Sequence, residues 1–166
     1  MRASPAALPT TILNNRSRRY SMEQMNQNNN DRTILVAVTD IFFYTKIRDA
    51  LLPHGYRLER VRTQEDFSET LGKFTPSAIL LNMNDEKIDA FDALRHLQKI
   101  HSGSPIPTLA YANHEEVDTW RKAKELGVTK VVSRNEFSAR TRGLVEDLLA
   151  ISNQPPAISA DKTPLN

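Results

Sequence analysis

Short segments made almost wholly of apolar residues recur along this chain, and they limit its fold more than any other feature. Residues 34–38 and 78–81 contain only Ile, Leu, Val and Ala, and residues 108–111 read Thr-Leu-Ala-Tyr. Continuous apolar runs of this length are typical of strands buried on both faces of a sheet. Residues 56–61 alternate and predict a more exposed strand, and residues 128–133 predict a fifth.

A segment with helical spacing follows each predicted strand. After the first strand, Phe43, Ile47, Ala50 and Leu51 recur at the period of a helix, which ends at Pro53-His54-Gly55. The same spacing recurs within residues 67–74, 91–100, 117–126 and 137–151. Five strands alternating with five helices predict a doubly wound α/β domain, in which a parallel sheet carries helices on both faces. Sites in such sheets lie at the carboxyl ends of the strands.

Composition separates this core from two polar ends. Only 39% of the 166 residues are hydrophobic, against about 45–50% in ordinary domains. Residues 1–32 end in an asparagine-rich run, and residues 152–166 contain three prolines. We therefore expect a disordered N-terminal tail (1–32), a folded domain (33–151) and a disordered C-terminal tail (152–166).

The N-terminal tail also carries the positive charge of the chain. The net charge is only +2, and the surplus arises from arginines of residues 1–32, since the core is close to neutral. This distribution makes a nucleic-acid partner a disfavoured hypothesis. The tail has no acid before Glu23, as in a transit peptide, but a flexible leader or a start at Met22 or Met25 is the favoured interpretation.

Several kinds of site are excluded or disfavoured. The chain has no cysteine, which excludes disulfides, thiolate zinc sites, Fe–S clusters and a cysteine nucleophile. No apolar run reaches about 18 residues, so we expect no membrane span and a cytoplasmic location. No glycine-rich phosphate loop follows residue 38, and the four histidines lack ligand spacing. We accordingly predict no enzyme activity, no cofactor, no metal and no catalytic residue.

The order of the predicted strands and helices, and the Gly and Pro residues between them, resemble those of one known family. The features that carry the resemblance are the apolar run 34–38, Gly55-Tyr56, the segment 76–81 followed by Asn84 and Asp89, Ile106-Pro107, and the segment 123–128. Together they resemble the receiver (CheY-like) domain of two-component response regulators. The resemblance implies a flavodoxin-like (βα)5 fold with strand order 2-1-3-4-5 and a role in phosphorelay signalling.

The chemistry of that family is phosphorylation of an aspartate beside a Mg²⁺ ion held by acids. The resemblance places Asn82 at the phosphoacceptor position, Ala112 at the hydroxyl position and Arg134 at the lysine position of the fifth strand. It places Val38 and Thr39 at the acid pair, or Thr39 and Asp40 after a shift of one residue. An amide cannot act as the carboxylate nucleophile, so the sequence predicts a degenerate pocket formed by Val38, Thr39, Asp40, Asn82, Ala112 and Arg134.

The resulting hypothesis is a stand-alone pseudo-receiver that works without phosphorylation and binds a protein. The partner would be a histidine kinase, a regulator or another signalling protein, and a homodimer is a further option. Two alternatives stay open, namely a phosphorylation-competent regulator that recruits Asp40 with Asp85 or Asp89, and a small-ligand-binding module. Asp85, Glu86 and Asp89 could also hold a cation, although acids commonly gather where a helix begins.

Two surfaces are candidate partner contacts. Phe42 and Tyr44 fall beside charged residues on the polar face of the first helix, as aromatic residues often do at protein interfaces. The second surface, which receivers commonly use for contacts, would carry Arg121, Lys124 and Lys130. Rings that cover a neighbouring loop and an ordinary solvated charged face are the alternative interpretations.

Overall fold

The computed structural model describes residues 32–153, and parallel strands alternate with helices throughout that range. The strands are β1 (Thr33–Ala37), β2 (Arg57–Val61), β3 (Ala78–Asn82), β4 (Thr108–Ala112) and β5 (Lys130–Ser133). The helices are α1 (Ile41–Leu51), α2 (Gln64–Lys73), α3 (Ala90–Ile100), α4 (Val117–Glu125) and α5 (Arg134–Ser152). A single 3₁₀ turn, Leu52–His54, follows α1.

The five strands form one parallel sheet in the order β2-β1-β3-β4-β5. This confirms the predicted α/β class and the strand order 2-1-3-4-5. Ala37 pairs with Leu81, Asn82 with Tyr111 and Ala112 with Ser133, so neighbouring strands end within one residue of each other. The loops that leave them therefore meet at one edge of the sheet.

Two apolar cores cover the sheet, one on each face. Alternate strand residues point to opposite faces, so Leu35 and Ile79 pack under α2, α3 and α4. Ile34 and Leu80 pack under α1 and α5. All of β1 after Thr33 and all of β3 and β4 are buried, which is why these strands carry the continuous apolar runs seen in the sequence.

Side-chain caps and two glycines set the element ends. Asp40, Thr63, Asp89 and Ser133 each accept a hydrogen bond from a backbone N–H in the first turn of the helix that follows. Gly55 and Gly127 have φ values of 80° and 90°, a region that favours glycine.

The structure corrects some predicted boundaries. β1 ends at Ala37 and leaves Val38 in the following connection, whereas the first strand was predicted to reach Val38. Arg134 is the first residue of α5 and not part of the fifth strand, because Ser133 caps that helix. α5 has non-helical backbone angles at Arg140 and continues through Ser152. The predicted disordered tails lie almost wholly in residues 1–31 and 154–166, outside the described residues.

No helix within residues 32–153 combines the length and the apolarity needed to cross a lipid bilayer.

An aromatic stack fills the core between β4, α1 and α5. The ring of Tyr111 lies 4.9 Å from the ring of Phe43 and 4.5 Å from that of Phe137, measured between centroids. Tyr111 is fully buried, and its hydroxyl has no hydrogen-bond partner among the described residues. Burial raises the pKa of Tyr111 above the ordinary range, so this residue contributes a neutral ring to the core.

Because a buried hydroxyl without a partner costs about 1–3 kcal/mol, we expect Tyr111→Phe to leave the free energy of unfolding unchanged or to raise it by roughly 1 kcal/mol. Urea unfolding measures this change. Tyr111→Ala is the matched control and should lower the free energy of unfolding by roughly 3–5 kcal/mol because it removes the stacked ring. A clear loss of stability in Tyr111→Phe would show that the hydroxyl makes a stabilising contact.

Candidate functional site

The carboxyl edge of the sheet holds a cavity of about 410 Å³. Its lining combines four residues of the predicted pocket, namely Thr39, Asp40, Asn82 and Arg134, with residues 84–87 of the β3–α3 loop. The other two predicted residues are buried nearby but do not line the cavity. Val38 belongs to the core under α1 and α5, and Ala112 belongs to the core on the opposite face.

Asn82 is the last residue of β3 and forms part of the cavity wall. It is only 5% exposed, and its side-chain oxygen accepts a hydrogen bond of 3.0 Å from the backbone N–H of Asn84. This bond turns the chain at the start of the β3–α3 loop. The strand end thus presents an amide at the cavity wall, and an amide supplies no carboxylate nucleophile.

Asp85 connects the β3–α3 loop to the connection between β1 and α1. Its carboxylate accepts a 2.8 Å hydrogen bond from the backbone N–H of Thr39. The Thr39 hydroxyl is a second donor to this carboxylate and lies 2.9 and 3.0 Å from its two oxygens. Asp85 therefore has a structural partner within the cavity, whereas the sequence suggested it only as a cation ligand or a shifted phosphorylation site.

Arg60 on β2 contacts the same connection from the other side, and sequence reasoning missed it. Its Nη2 donates a 2.7 Å hydrogen bond to the backbone oxygen of Thr39, and its Nε donates a 3.2 Å bond to that of Val38. The guanidinium also lies 4.6 Å from the centre of the Tyr44 ring. In the sequence, Arg60 is one member of an alternating strand, and nothing in that pattern marks it as a contact for a distant loop.

Asp40 and Arg134 complete this side of the cavity. Asp40 caps α1, since its Oδ1 accepts hydrogen bonds of 2.9 and 3.2 Å from the N–H groups of Phe42 and Phe43. Its Oδ2 lies 3.4 Å from Nη2 of Arg134. The Arg134 guanidinium lies 4.8 Å from the centre of the Phe43 ring, so its charge rests on an aromatic face.

The acids of this region do not form a common cation site. Asp40 caps α1, Asp85 binds Thr39, and Asp89 caps α3 by accepting a 3.0 Å bond from the N–H of Asp92. Within residues 32–153, no group of three or more His, Asp or Glu side chains is placed to hold a metal ion. The alternative in which Asp85, Glu86 and Asp89 hold a cation finds no support in this arrangement, since Asp89 caps α3 and Asp85 accepts hydrogen bonds from Thr39.

A second set of side chains holds the β3–α3 loop from the β4 side. The Glu116 carboxylate accepts bonds of 2.9 and 2.8 Å from the Asn84 side-chain nitrogen and one of 3.1 Å from that of Asn113. The Trp120 indole N–H donates a 3.0 Å bond to the backbone oxygen of Asn113. The hydrogen bonds from Asn84 and Asn113 lower the pKa of Glu116 below its ordinary value.

The two candidate partner surfaces differ in exposure. Phe42 is 81% exposed and its neighbour Ile41 is 54% exposed. Tyr44 is half-buried and packs against the core under Arg60, as in the interpretation of a ring that covers its neighbours. On the second surface, Arg121 and Lys124 are exposed and Lys130 is half-buried.

The fold is that of solved receiver domains. A signal receiver domain of a signal transduction histidine kinase from Syntrophus aciditrophicus has a TM-score of 0.65 and 17% identity, covering 78% of this chain and 98% of that one. The phosphorylated cyanobacterial phytochrome response regulator RcpA has a TM-score of 0.64 and 17% identity, covering 72% of this chain and 95% of that one.

A larger protein contains the same fold. The structure of NtrX from Brucella abortus in complex with ADP has a TM-score of 0.63 and 16% identity, and the similarity covers 72% of this chain but 27% of that one. No protein-family model matches the sequence, and no curated protein matches it. The likeness therefore lies in the chain fold and strand order.

The contact between Glu116 and the two asparagines predicts a stability change at acid pH. Because the folded protein lowers the pKa of Glu116, the carboxylate stabilises the fold above the unfolded-state pKa. That contribution is lost as the pH falls through the lower folded-state pKa. We expect wild type to be more stable than Glu116→Gln at neutral pH, with the difference shrinking below about pH 4.5.

Urea unfolding of both proteins across pH 3 to 7, in steps of roughly half a unit, measures this difference. Glu115→Gln is the matched control, since the neighbouring Glu115 makes no bond to Asn84 or Asn113. A difference between wild type and Glu116→Gln that stays constant through the acid range would contradict the assignment.

Proposed function

We propose that this chain is a receiver-like signalling module of a two-component-type pathway that acts by binding a protein and does not use aspartyl phosphorylation. The observation that carries the proposal is Asn82, whose buried amide ends β3 beside the cavity in a receiver fold. In this proposal the chain is a non-enzymatic, cytoplasmic protein. It uses no cofactor and no metal.

The surroundings of Asn82 support the same conclusion. Ala112 ends the neighbouring strand β4 without a hydroxyl, and the resemblance to receivers places Val38 and Thr39, or Thr39 and Asp40, at the acid pair, so at most one carboxylate is present there. Mg²⁺ in phosphate sites is usually held by one or two carboxylates. In this cavity the carboxylate of Asp85 accepts hydrogen bonds from Thr39, and that of Asp40 caps α1.

The alternative of a shifted phosphorylation site is less well supported by this geometry. A carboxylate nucleophile needs a free oxygen that can reach the phosphoryl donor. The Asp85 oxygens accept protein hydrogen bonds, Asp40 faces Arg134, and Asp89 caps α3. These contacts support a structural use of the acids.

The partner surface in this proposal centres on the first turn of α1. Phe42 and Ile41, which follow the cavity residue Asp40 in the chain, expose apolar side chains, and exposed aromatic residues of this kind are frequent anchors in protein interfaces. The partner would be a histidine kinase, a regulator or another signalling protein, with a second copy of the chain as a further option. Without a phosphorylation switch, control would come from abundance or from competition between partners.

Phosphorylation is the first test. We expect the full chain to gain no phosphoryl group when it is incubated with acetyl phosphate and Mg²⁺, because position 82 is an amide. Intact-mass measurement before and after alkaline treatment detects an acyl phosphate. A base-labile gain of one phosphoryl group on wild type would overturn the proposal.

The matched variant for this test is Asn82→Asp. It restores a carboxylate at the end of β3 but leaves Ala112 and Thr39 unchanged. We expect it to gain at most a small fraction of one phosphoryl group, since the second carboxylate and the hydroxyl are still missing. If Asn82→Asp is fully phosphorylated and wild type is not, the amide at position 82 alone prevents phosphorylation of wild type.

A second test concerns the surface on α1. Because Phe42 is 81% exposed, Phe42→Ala should change the free energy of unfolding by no more than about 0.5 kcal/mol. It should also reduce, severalfold, the proteins recovered by affinity capture from the native host. Val117→Ala is the control, since Val117 is 73% exposed at the start of α4. Equal recovery by wild type and Phe42→Ala would exclude the α1 surface as the contact.

A further inference from the structure

The connection between β1 and α1, residues 38–40, is held by side chains from three other elements. Asp85 contacts it from the β3–α3 loop, Arg60 from β2 and Arg134 from α5. We propose that Asp85 is a positioning residue that, together with Arg60, keeps this connection in one arrangement and so presents Phe42 in a preformed surface. This inference rests on the proposed function, because it concerns the surface that the partner would bind.

The Asp85 carboxylate accepts hydrogen bonds from four donors of the protein. Oδ2 accepts from the Thr39 N–H, and the single hydroxyl proton of Thr39 is shared between the two oxygens. Oδ1 also accepts bonds of 3.0 and 3.2 Å from the N–H groups of Lys87 and Ile88. An ionised carboxylate offers about four acceptor positions. Bonds to a charged acceptor are among the stronger hydrogen bonds in proteins. Asp85 therefore orders both its own loop and Thr39.

Arg60 completes the arrangement from the opposite direction. Asp85 accepts from the N–H of Thr39, and Arg60 donates to the backbone oxygen of the same residue. Both backbone polar groups of Thr39 are thus bonded to side chains from β2 and the β3–α3 loop. A loop residue whose N–H and C=O are both bonded to separate elements has little freedom to rotate.

The fixed connection leads directly into the proposed partner surface. Asp40 follows Thr39, and its carboxylate accepts a hydrogen bond of 2.9 Å from the N–H of Phe42. A shift of Thr39 would move Asp40, and with it the first turn of α1 where Phe42 and Ile41 are exposed. Asp85 thus acts on Phe42 through Thr39 and Asp40 without touching it.

The contact between Asp85 and Thr39 also has a consequence for how partner binding at the α1 surface is controlled. A carboxylate that belongs to the chain is always present, whereas a phosphoryl group is added and removed. The Asp85 contact accordingly holds the surface in one state at all times. This agrees with control by abundance or competition.

Amide hydrogen exchange of the full chain tests the role of Asp85. In Asp85→Asn we expect the amides of Thr39, Lys87 and Ile88 to exchange roughly ten- to a hundredfold faster than in wild type, because they lose a charged acceptor. The amide of Phe42 should also exchange severalfold faster. Glu86→Gln removes the same charge from the same loop and cavity wall, and it should exchange like wild type.

Two further measurements keep the test specific. Slow exchange of the β4 amides in every variant confirms that the sheet is intact. Thr39→Val keeps the N–H donor but removes the hydroxyl, so its amides should exchange at rates between those of wild type and Asp85→Asn. If Asp85→Asn does not fold, Thr39→Val takes its place in the experiment. Unchanged exchange at Thr39 and Phe42 in the folded variant or variants would overturn the positioning role.

A functional measurement separates positioning from stability alone. Affinity capture with Asp85→Asn should recover less partner than wild type even though Phe42 is present. Phe42→Ala should then lower recovery by a smaller factor in the Asp85→Asn background than in wild type, because both changes act on one surface. Equal factors in the two backgrounds would overturn the inference.

Different results would overturn the proposed function and the role of Asp85. Phosphoryl uptake by wild type would overturn the phosphorylation-independent function, whatever the exchange rates are. Normal exchange in Asp85→Asn without phosphoryl uptake would overturn only the role assigned to Asp85.

Discussion

Parallel pairing of the strands brings loops that are distant in sequence to one edge of the sheet, and every contact of the candidate site depends on it. Ala37 pairs with Leu81 and Asn82 with Tyr111, so the chain leaves β1, β3 and β4 at neighbouring points. The β3–α3 loop lies between the other two loops because β3 is the central strand. From there Asp85 reaches Thr39 on one side and Asn84 reaches Glu116 on the other.

The acids around the cavity accept hydrogen bonds from the protein itself, which gives them a structural role. In a site built for phosphorylation, carboxylates are held ready for a metal ion and a phosphoryl group. Here the carboxylates of Asp40, Asp85 and Asp89 accept backbone hydrogen bonds in helix caps and loop turns. The edge of the sheet is organised by hydrogen bonds among the protein's own polar groups.

Much of the fold could be predicted because burial leaves a pattern in the sequence. Strands covered on both faces are apolar along most of their length, as β3 is from Ala78 to Leu81. The exposure of Phe42 followed in the same way from its place beside Lys46 and Asp49 on the polar face of a helix. The half-burial of Tyr44 is not visible in the same pattern, because Arg60, which covers its ring, lies on β2 and not on the same helix. Asp85 was recognised as an acid near the site, but its partner Thr39 is 46 positions away in sequence.

The sequence by itself determined the α/β class, the alternation of five strands with five helices, and an amide at position 82. These properties depend on residue type and local periodicity, which are visible without coordinates. Only the tertiary structure decided that Asp85 binds Thr39, that Arg60 holds the backbone of that residue, and that Tyr111 stacks between Phe43 and Phe137. Such contacts join separate elements at distances of a few ångströms, and the sheet register sets those distances.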